Sequence, residues 1–214
     1  MLCMGEISPQ LADNEAWVDQ TFEKCDDILH RQVYLGQGRQ EGLLVYVEVA
    51  VSNLMLEEHV IGLSDVQPLK SYAEGKAALL AGNGLLFLDG DTNCYKISSK
   101  GYPGLGVKKA ENEKVIRGSQ EAFTESEKIN VALIRKRLRD SRMKVEEQTV
   151  GVRSHTMTAL VYMEDLIYQG LLTTMKQQLQ RYEIDGILDS GMLEQLSEKH
   201  WLSPFPQFQT TERP

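Results

Sequence analysis

The side chains best placed to act together in this chain are cations. Within residues 113–140, EKVIRGSQEAFTESEKINVALIRKRLRD, Lys128, Arg135 and Arg139 recur at i, i+7 and i+11, one stripe of a helix. Apolar rows, Ile129 with Leu133 and Val131 with Ile134 and Leu138, flank that stripe. A stripe of this kind can hold phosphate or a lipid headgroup, or pair with acidic surfaces on neighbouring parts of the chain. No phosphate cradle accompanies it: Ser99 to Lys109, SKGYPGLGVKK, lacks both a GxGxxG fingerprint and a GKS or GKT ending and is expected to be a connector.

Other chemistries find less support. Cys3, Cys25 and Cys94 form no CxxC pair, which argues against a disulfide framework or zinc cluster and fits a reducing compartment. His30, His59, His155 and His200 are scattered without an HExxH, so no metal is implied. The acids Glu57-Glu58 and Glu146-Glu147 are adjacent, which points their carboxyls apart, and no GxSxG elbow occurs. Asp185 to Gly191, DGILDSG, lacks the alternating oxygen ligands and distal Glu of a calcium loop; a turn followed by a helix capped at Asp189 or Ser190 is expected. Neither a catalytic constellation nor a cofactor is indicated, and the chain is expected not to be an enzyme.

The elements that must carry the basic stripe follow from period and punctuation. Thr124-Glu125-Ser126-Glu127 reads as a capping box that starts a helix near Glu125 and runs to Arg139. Two segments share one pattern, Gly42 to Glu48 (GLLVYVE) and Thr158 to Glu164 (TALVYME). Each follows an extended segment and a polar turn, including Gly36-Gln37-Gly38 in the first copy, and each precedes a helical pattern, 53–63 and 170–182. Leu171, Leu172, Met175, Leu179 and Tyr182 form the apolar face of the second. The apolar runs imply strands covered on both faces. A further helix precedes each copy, 14–24 and 125–139. The first copy also carries a helix over 72–80 stopped by Gly82, then a hairpin, Leu85 to Leu88 and Cys94 to Ser98, around Asp89-Gly90. The expected fold is therefore α/β: two similar α/β subdomains, 1–107 and 108–214, each a small mixed sheet covered by helices, joined by the Gly/Pro-containing connector. The second lacks an equivalent of the extra hairpin and is expected to be truncated at its C-terminal end.

At 214 residues and 42% hydrophobic content the composition is that of an ordinary globular chain. The net charge of −8 argues against nucleic acid as a partner. It divides unevenly, −8 over residues 1–107, +5 over 108–144 and −5 over 145–214. A basic waist joins two acidic lobes. The first residues lack a signal peptide's basic start and apolar core, and no apolar run approaches the roughly 20 residues of a spanning helix.

Several blocks together resemble the cytoplasmic N-terminal domain of spore germinant receptor A subunits, the GerA family. They are Val115 to Gly118, Phe123 to Glu125, Asn130 to Arg137, Ala159 to Tyr162, Ile187 to Gly191, Ser203 to Gln207 and Thr211 to Pro214, with the weaker Leu79-Leu80 and Leu88 to Gly90 before them. The family's Arg-Gly-Pro-Arg-Glu-Gly-Phe-Thr-Glu is altered here to Ser119, Gln120 and Ala122. The resemblance implies a receptor in the spore inner membrane with this domain on the core side, acting with germinant receptor B and C subunits in nutrient sensing. The family continues beyond Thr-Glu-Arg-Pro into membrane helices, and stage V sporulation AF-type relatives share the domain.

Two roles follow from that resemblance. As a signalling or assembly domain, the chain would use Arg117, Glu125, Asn130, Arg135 and Arg137 between its lobes, with Arg117 and Arg137 the buried forks that hold carboxylates; each is equally readable as a fold-maintaining ion pair. As a nutrient-binding module, it would close a cleft between the lobes on a small-molecule germinant.

Overall fold

The computed structural model describes residues 5–36, 40–50, 66–98, 113, 117–119, 121–182, 184–187, 190–197 and 209–214. The helical pattern over 53–63, the connector after Ser98, Val115-Ile116 and Ser203 to Gln207 lie outside them. Helix α1 (Leu11–Thr21) leads into the hairpin β1 (Ile28–Leu35) and β2 (Gln40–Val47). Strand β3 (Val66–Leu69), helix α2 (Tyr72–Leu80) and the hairpin β4 (Gly84–Leu88) and β5 (Cys94–Ile97) follow. Helix α3 (Glu127–Arg137) then precedes a second hairpin, β6 (Met143–Val150) and β7 (Thr156–Met163), and helices α4 (Gln169–Gln180) and α5 (Ser190–Ser197).

The first sheet has the order β1-β2-β4-β5-β3 with every ladder antiparallel. The second is the pair β6-β7. The α/β class is as expected. The anticipated mixed sheets are antiparallel, and the parallel pairing among the described residues is an isolated bridge between Cys25 and Val145. Each copy of the repeated pattern forms a helix followed by a long antiparallel hairpin, α1-β1-β2 and α3-β6-β7.

Local chemistry explains the first unit. Ser71 caps α2 by accepting from the Glu74 amide at 3.3 Å, while Glu74 accepts from the Lys70 amide at 3.0 Å. The helix stops at Gly82, whose φ of 91° suits glycine and lets its amide reach the Leu79 carbonyl at 2.8 Å. Gly42 is required by proximity: a Cβ there would stand 3.0 Å from the Phe87 carbonyl oxygen. Strand β3, unread from the sequence because it is short and holds Pro68, sits at the sheet edge, where a missing amide donor costs no ladder bond.

Leu43, Leu44, Val45, Leu79, Leu85, Leu86 and Phe87 fill the core between this sheet and helices α1 and α2. Trp17 stacks on Tyr72 at 4.6 Å, and the Tyr72 hydroxyl donates to fully buried Asn14 at 2.7 Å. Strand β2 is covered on both faces, as its run implied. Strand β7 is not, since only Tyr162 along it is buried. The second core is correspondingly small, with Val131, Met143 and Val145 packed by Ile134, Ala159, Val161 and Met163. On α4 Leu172 is buried, Met175, Leu179 and, just past its end, Tyr182 are partly covered and Leu171 stands half exposed, so the apolar face expected of that helix is only partly packed.

This contrast fixes an expected outcome. Leu44→Ala, in the filled core, lowers unfolding stability by about 2–5 kcal/mol, whereas Leu171→Ala changes it by less than about 0.5 kcal/mol. Urea unfolding of both variants checks it, and a comparable loss in both would contradict the packing described.

Candidate functional site

The predicted capping box does not form. Helix α3 begins two residues later, after Ser126, which makes no side-chain cap. The Thr124 hydroxyl instead accepts from the Ser126 amide at 3.2 Å. Asn130 reaches back to Thr124, accepting from its amide at 2.7 Å and donating to its carbonyl at 2.8 Å. Asn130 thus locks the entry to the helix, and Glu125 stands exposed in that entry. An amide side chain one turn into the helix outcompetes the glutamate because it can satisfy a donor and an acceptor at once.

Along α3 the apolar residues divide between two neighbours. Ala132 belongs to the first core, while Val131 and Ile134 pack on the second hairpin. Arg135, a turn beyond Val131, is fully buried at 0% exposure. Its guanidinium grips Asp27, itself 5% exposed, through Nε to Oδ2 at 2.8 Å and an Nη to Oδ1 at 2.7 Å. The remaining Nη donates to the Asp140 and Met143 carbonyls, both at 3.1 Å. Burial pulls the Arg135 guanidinium down, yet its hydrogen bonds and attraction to Asp27 hold it above its ordinary value. One side chain therefore ties the start of β1 to the helix and strand of the second hairpin.

Backbone pairing reinforces the same seam. The Asp26 amide donates to the Val145 carbonyl and the Val145 amide to the Lys24 carbonyl, each at 2.9 Å. Lys24 adopts φ of 59°, a left-handed conformation uncommon for a residue with a side chain, where the chain turns to lie along β6. Asp26 then accepts from the Glu147 amide at 2.7 Å, and the Cys25 thiol points at the Met143 carbonyl at 3.5 Å.

The seam also gathers carboxylates. Glu48, just past β2, pairs with Lys128 at 2.5 Å. Glu127 and Glu147 face the same pair, and burial together with the neighbouring carboxylates pushes both above their usual range, against the pull of Lys128. One Glu127 oxygen is buried with no hydrogen-bond partner among the described residues.

The two residues expected to be the buried forks are at the surface instead. Arg117 is exposed, and Arg137 is exposed with an Nη donating to Ser119 Oγ at 3.0 Å and its other Nη to the Pro214 carbonyl at 2.5 Å. Arg137 lies two positions beyond Arg135, about 200° around α3, and so faces away from the seam, while Arg117 lies before the helix; the burial falls on Arg135. Asp27 and Glu48 were not anticipated; the adjacent acids Asp26-Asp27 immediately before a strand were the available signal. Among the described residues the seam opens no cleft where a nutrient could enter. The pit between Asp27, Val47, Glu48, Lys128, Ala132 and Glu147 measures about 10 Å³, at the lower limit for a single water. A larger cavity of about 260 Å³ lies within the second unit instead, between Ala159, Leu160, Met175, Leu179 and Leu193. Among the described residues no group of three or more His, Cys, Asp or Glu could hold a metal ion.

This architecture is that of a known receptor domain. The chain superposes with a TM-score of 0.70 and 21% identity, over 99% of its length and 87% of the other, on the crystal structure of the N-terminal domain of the A subunit of the Bacillus megaterium spore germinant receptor GerK3. A family model described as Bacillus/Clostridium GerA spore germination protein matches residues 52–214, and the chain belongs to that family. Relatives from Bacillus subtilis (strain 168) include the uncharacterized membrane protein YfkQ, 30% identical over 97% of this chain and 45% of the relative. Spore germination protein KA is 28% identical over 97% and 43%, and stage V sporulation protein AF 30% over 71% and 31%. The chain thus spans less than half the length of the relatives it matches.

Two outcomes are expected at the seam. Arg135→Met strands the Asp27 carboxylate and costs about 3–5 kcal/mol, while a compensating Arg135→Met/Asp27→Leu pair recovers most of the loss; urea unfolding of the singles and the double decides it, and a fully additive double would remove the pair from its central place. The second outcome is a pH dependence. The folded chain binds protons at Glu127 and Glu147 more tightly than the unfolded chain. Their stabilising contribution is therefore complete below the ordinary glutamate range and is lost as pH rises through the raised folded-state values. Glu127→Gln/Glu147→Gln abolishes that loss and is the more stable form at neutral pH, as thermal melts between acidic and neutral pH would show; an unchanged profile would exclude the two groups.

Proposed function

We propose that this chain is the N-terminal domain of a germinant receptor A subunit, working in spore germination as a signalling and assembly domain. The observation that carries the reading is the match of nearly the whole chain to such a domain in a solved structure, together with the family model over residues 52–214. In this reading residues 1–107 and 108–214 act as two lobes, and the Arg135–Asp27 seam sets their relative orientation. Glu125, Asn130, Arg117 and Arg137 surround that seam or its exposed end and couple it to the rest of the receptor. The whole protein would sit in the spore inner membrane with this domain on the core side, alongside B and C subunits. No described helix is long and apolar enough to cross a membrane, so the membrane part would lie elsewhere in the full protein.

Spores whose only copy of the full-length gene carries Arg135→Met or Asp27→Asn are expected to lose the nutrient response of that receptor, with B and C subunit levels falling if assembly is the affected step. Optical density after nutrient addition, with immunoblots of the membrane fraction, reads both. Normal germination by these variants, against loss in a deletion strain, would refute the role given to the seam.

A further inference from the structure

The hairpin β6-β7 is packed unequally on its two faces. Val145 and Val161, a cross-strand pair, lie in the second core against Val131 and Ile134 of α3. Residues of the opposite parity, Gln148 and Leu160, meet α4 and α5 instead. On that side Leu160, Met175, Leu179 and Leu193 are each only partly covered, and together they wall the cavity of about 260 Å³.

One polar group of this wall lacks a partner. Gln148 lines the cavity, and its Nε2 is buried with no hydrogen-bond partner among the described residues. Neighbouring hydroxyls are already engaged: Thr158 Oγ1 donates to the Gln148 carbonyl at 2.9 Å, and Ser197 Oγ to the Leu193 carbonyl at 2.7 Å. An amide donor sealed from water without an acceptor opposes folding. A water is poorly placed to relieve it, since a buried water needs roughly two to four polar partners and the side chains of Leu160, Met175, Leu179 and Leu193 supply none.

We propose that this cavity binds a small uncharged molecule with an aromatic or branched apolar body and a carbonyl oxygen that accepts from Gln148 Nε2. Size sets the body: an apolar cavity of about 150 Å³ takes up benzene. The 260 Å³ here therefore admits a ring with a short polar substituent. Charge sets the substituent. Glu194 is the one ionisable side chain in the described lining, so a carboxylate would enter with no cation to pair with, and an ammonium would bring donors to a donor. A carbonyl satisfies Gln148 without either cost. The site lies within the second unit, away from the Arg135–Asp27 seam, and is independent of the part that seam plays in germination.

Toluene, benzamide and benzoate are the probes, titrated into the isotopically labelled 214-residue chain while its amide chemical shifts are followed by NMR. Benzamide is expected to move amides around Leu160, Met175 and Leu193 and to leave those around Asp27 and Arg135 in place, with benzoate at least about tenfold weaker. Gln148→Leu should weaken benzamide by about fivefold while changing toluene by less than about twofold. Leu160→Trp, which fills the space from the strand, should abolish binding of both; Leu193→Phe fills it from α5 and serves if circular dichroism shows the first variant unfolded. Absence of shifts with benzamide at millimolar concentration, shifts centred on the seam, benzoate binding as tightly as benzamide, or equal loss of benzamide and toluene in Gln148→Leu would overturn the proposal.

Discussion

Among the described residues, one ion pair buried on both sides ties the first sheet to the second hairpin. Arg135 and Asp27 are 108 residues apart in sequence, and both are buried. Taking both charges out of water is costly, and the geometry meets that cost with two parallel bonds to one carboxylate and two more to backbone carbonyls. Because every nitrogen of the fork donates, the pair tolerates little sliding of one unit past the other. Nonpolar packing alone would leave such freedom, since the second core contributes few buried side chains. Orientation in this domain is thus set by directional bonds, while bulk stability resides in the first core.

The placement of the helix explains why one residue can do this. Helix α3 has no solvent face along its middle: Ala132 enters the first core and Val131 the second. A long cation in that position must either find a buried anion or force the units apart. Asp27 stands where β1 begins, and its own carbonyl accepts from the Glu48 amide at 2.9 Å, so the backbone that presents the carboxylate is held independently of the arginine. The Lys128–Glu48 pair nearby is half exposed and contributes little by comparison.

Much of the architecture was legible because it rests on local rules. Gly82 marked the end of α2, Asp89-Gly90 marked a hairpin, and GLLVYVE and TALVYME located two strands. What escaped the sequence was decided by distant partners. The capping-box pattern at Thr124 was overridden by Asn130, six residues on. Arg117 and Arg137 were expected inside because arginine suits buried pairs, but which arginine faces inward depends on the phase of α3 between two units. Period alone put Arg135 on a basic stripe; its partner, Asp27, had no sequence relation to it. Strand β7 reads like β2 in composition yet remains half open, because coverage of a strand is a property of its neighbours.

The two described cysteines carry a consequence for chemical durability. Cys94 is wholly buried in the first core, its thiol pushed up to about 12 by desolvation, and Cys25 is raised for the same reason in spite of Arg135 nearby. The thiolate is the form that oxidants and electrophiles attack, and neither residue presents it at neutral pH. Local unfolding of the Lys24 to Asp26 segment would be the step that exposes Cys25, so the seam that orients the units also sets the rate at which this thiol ages.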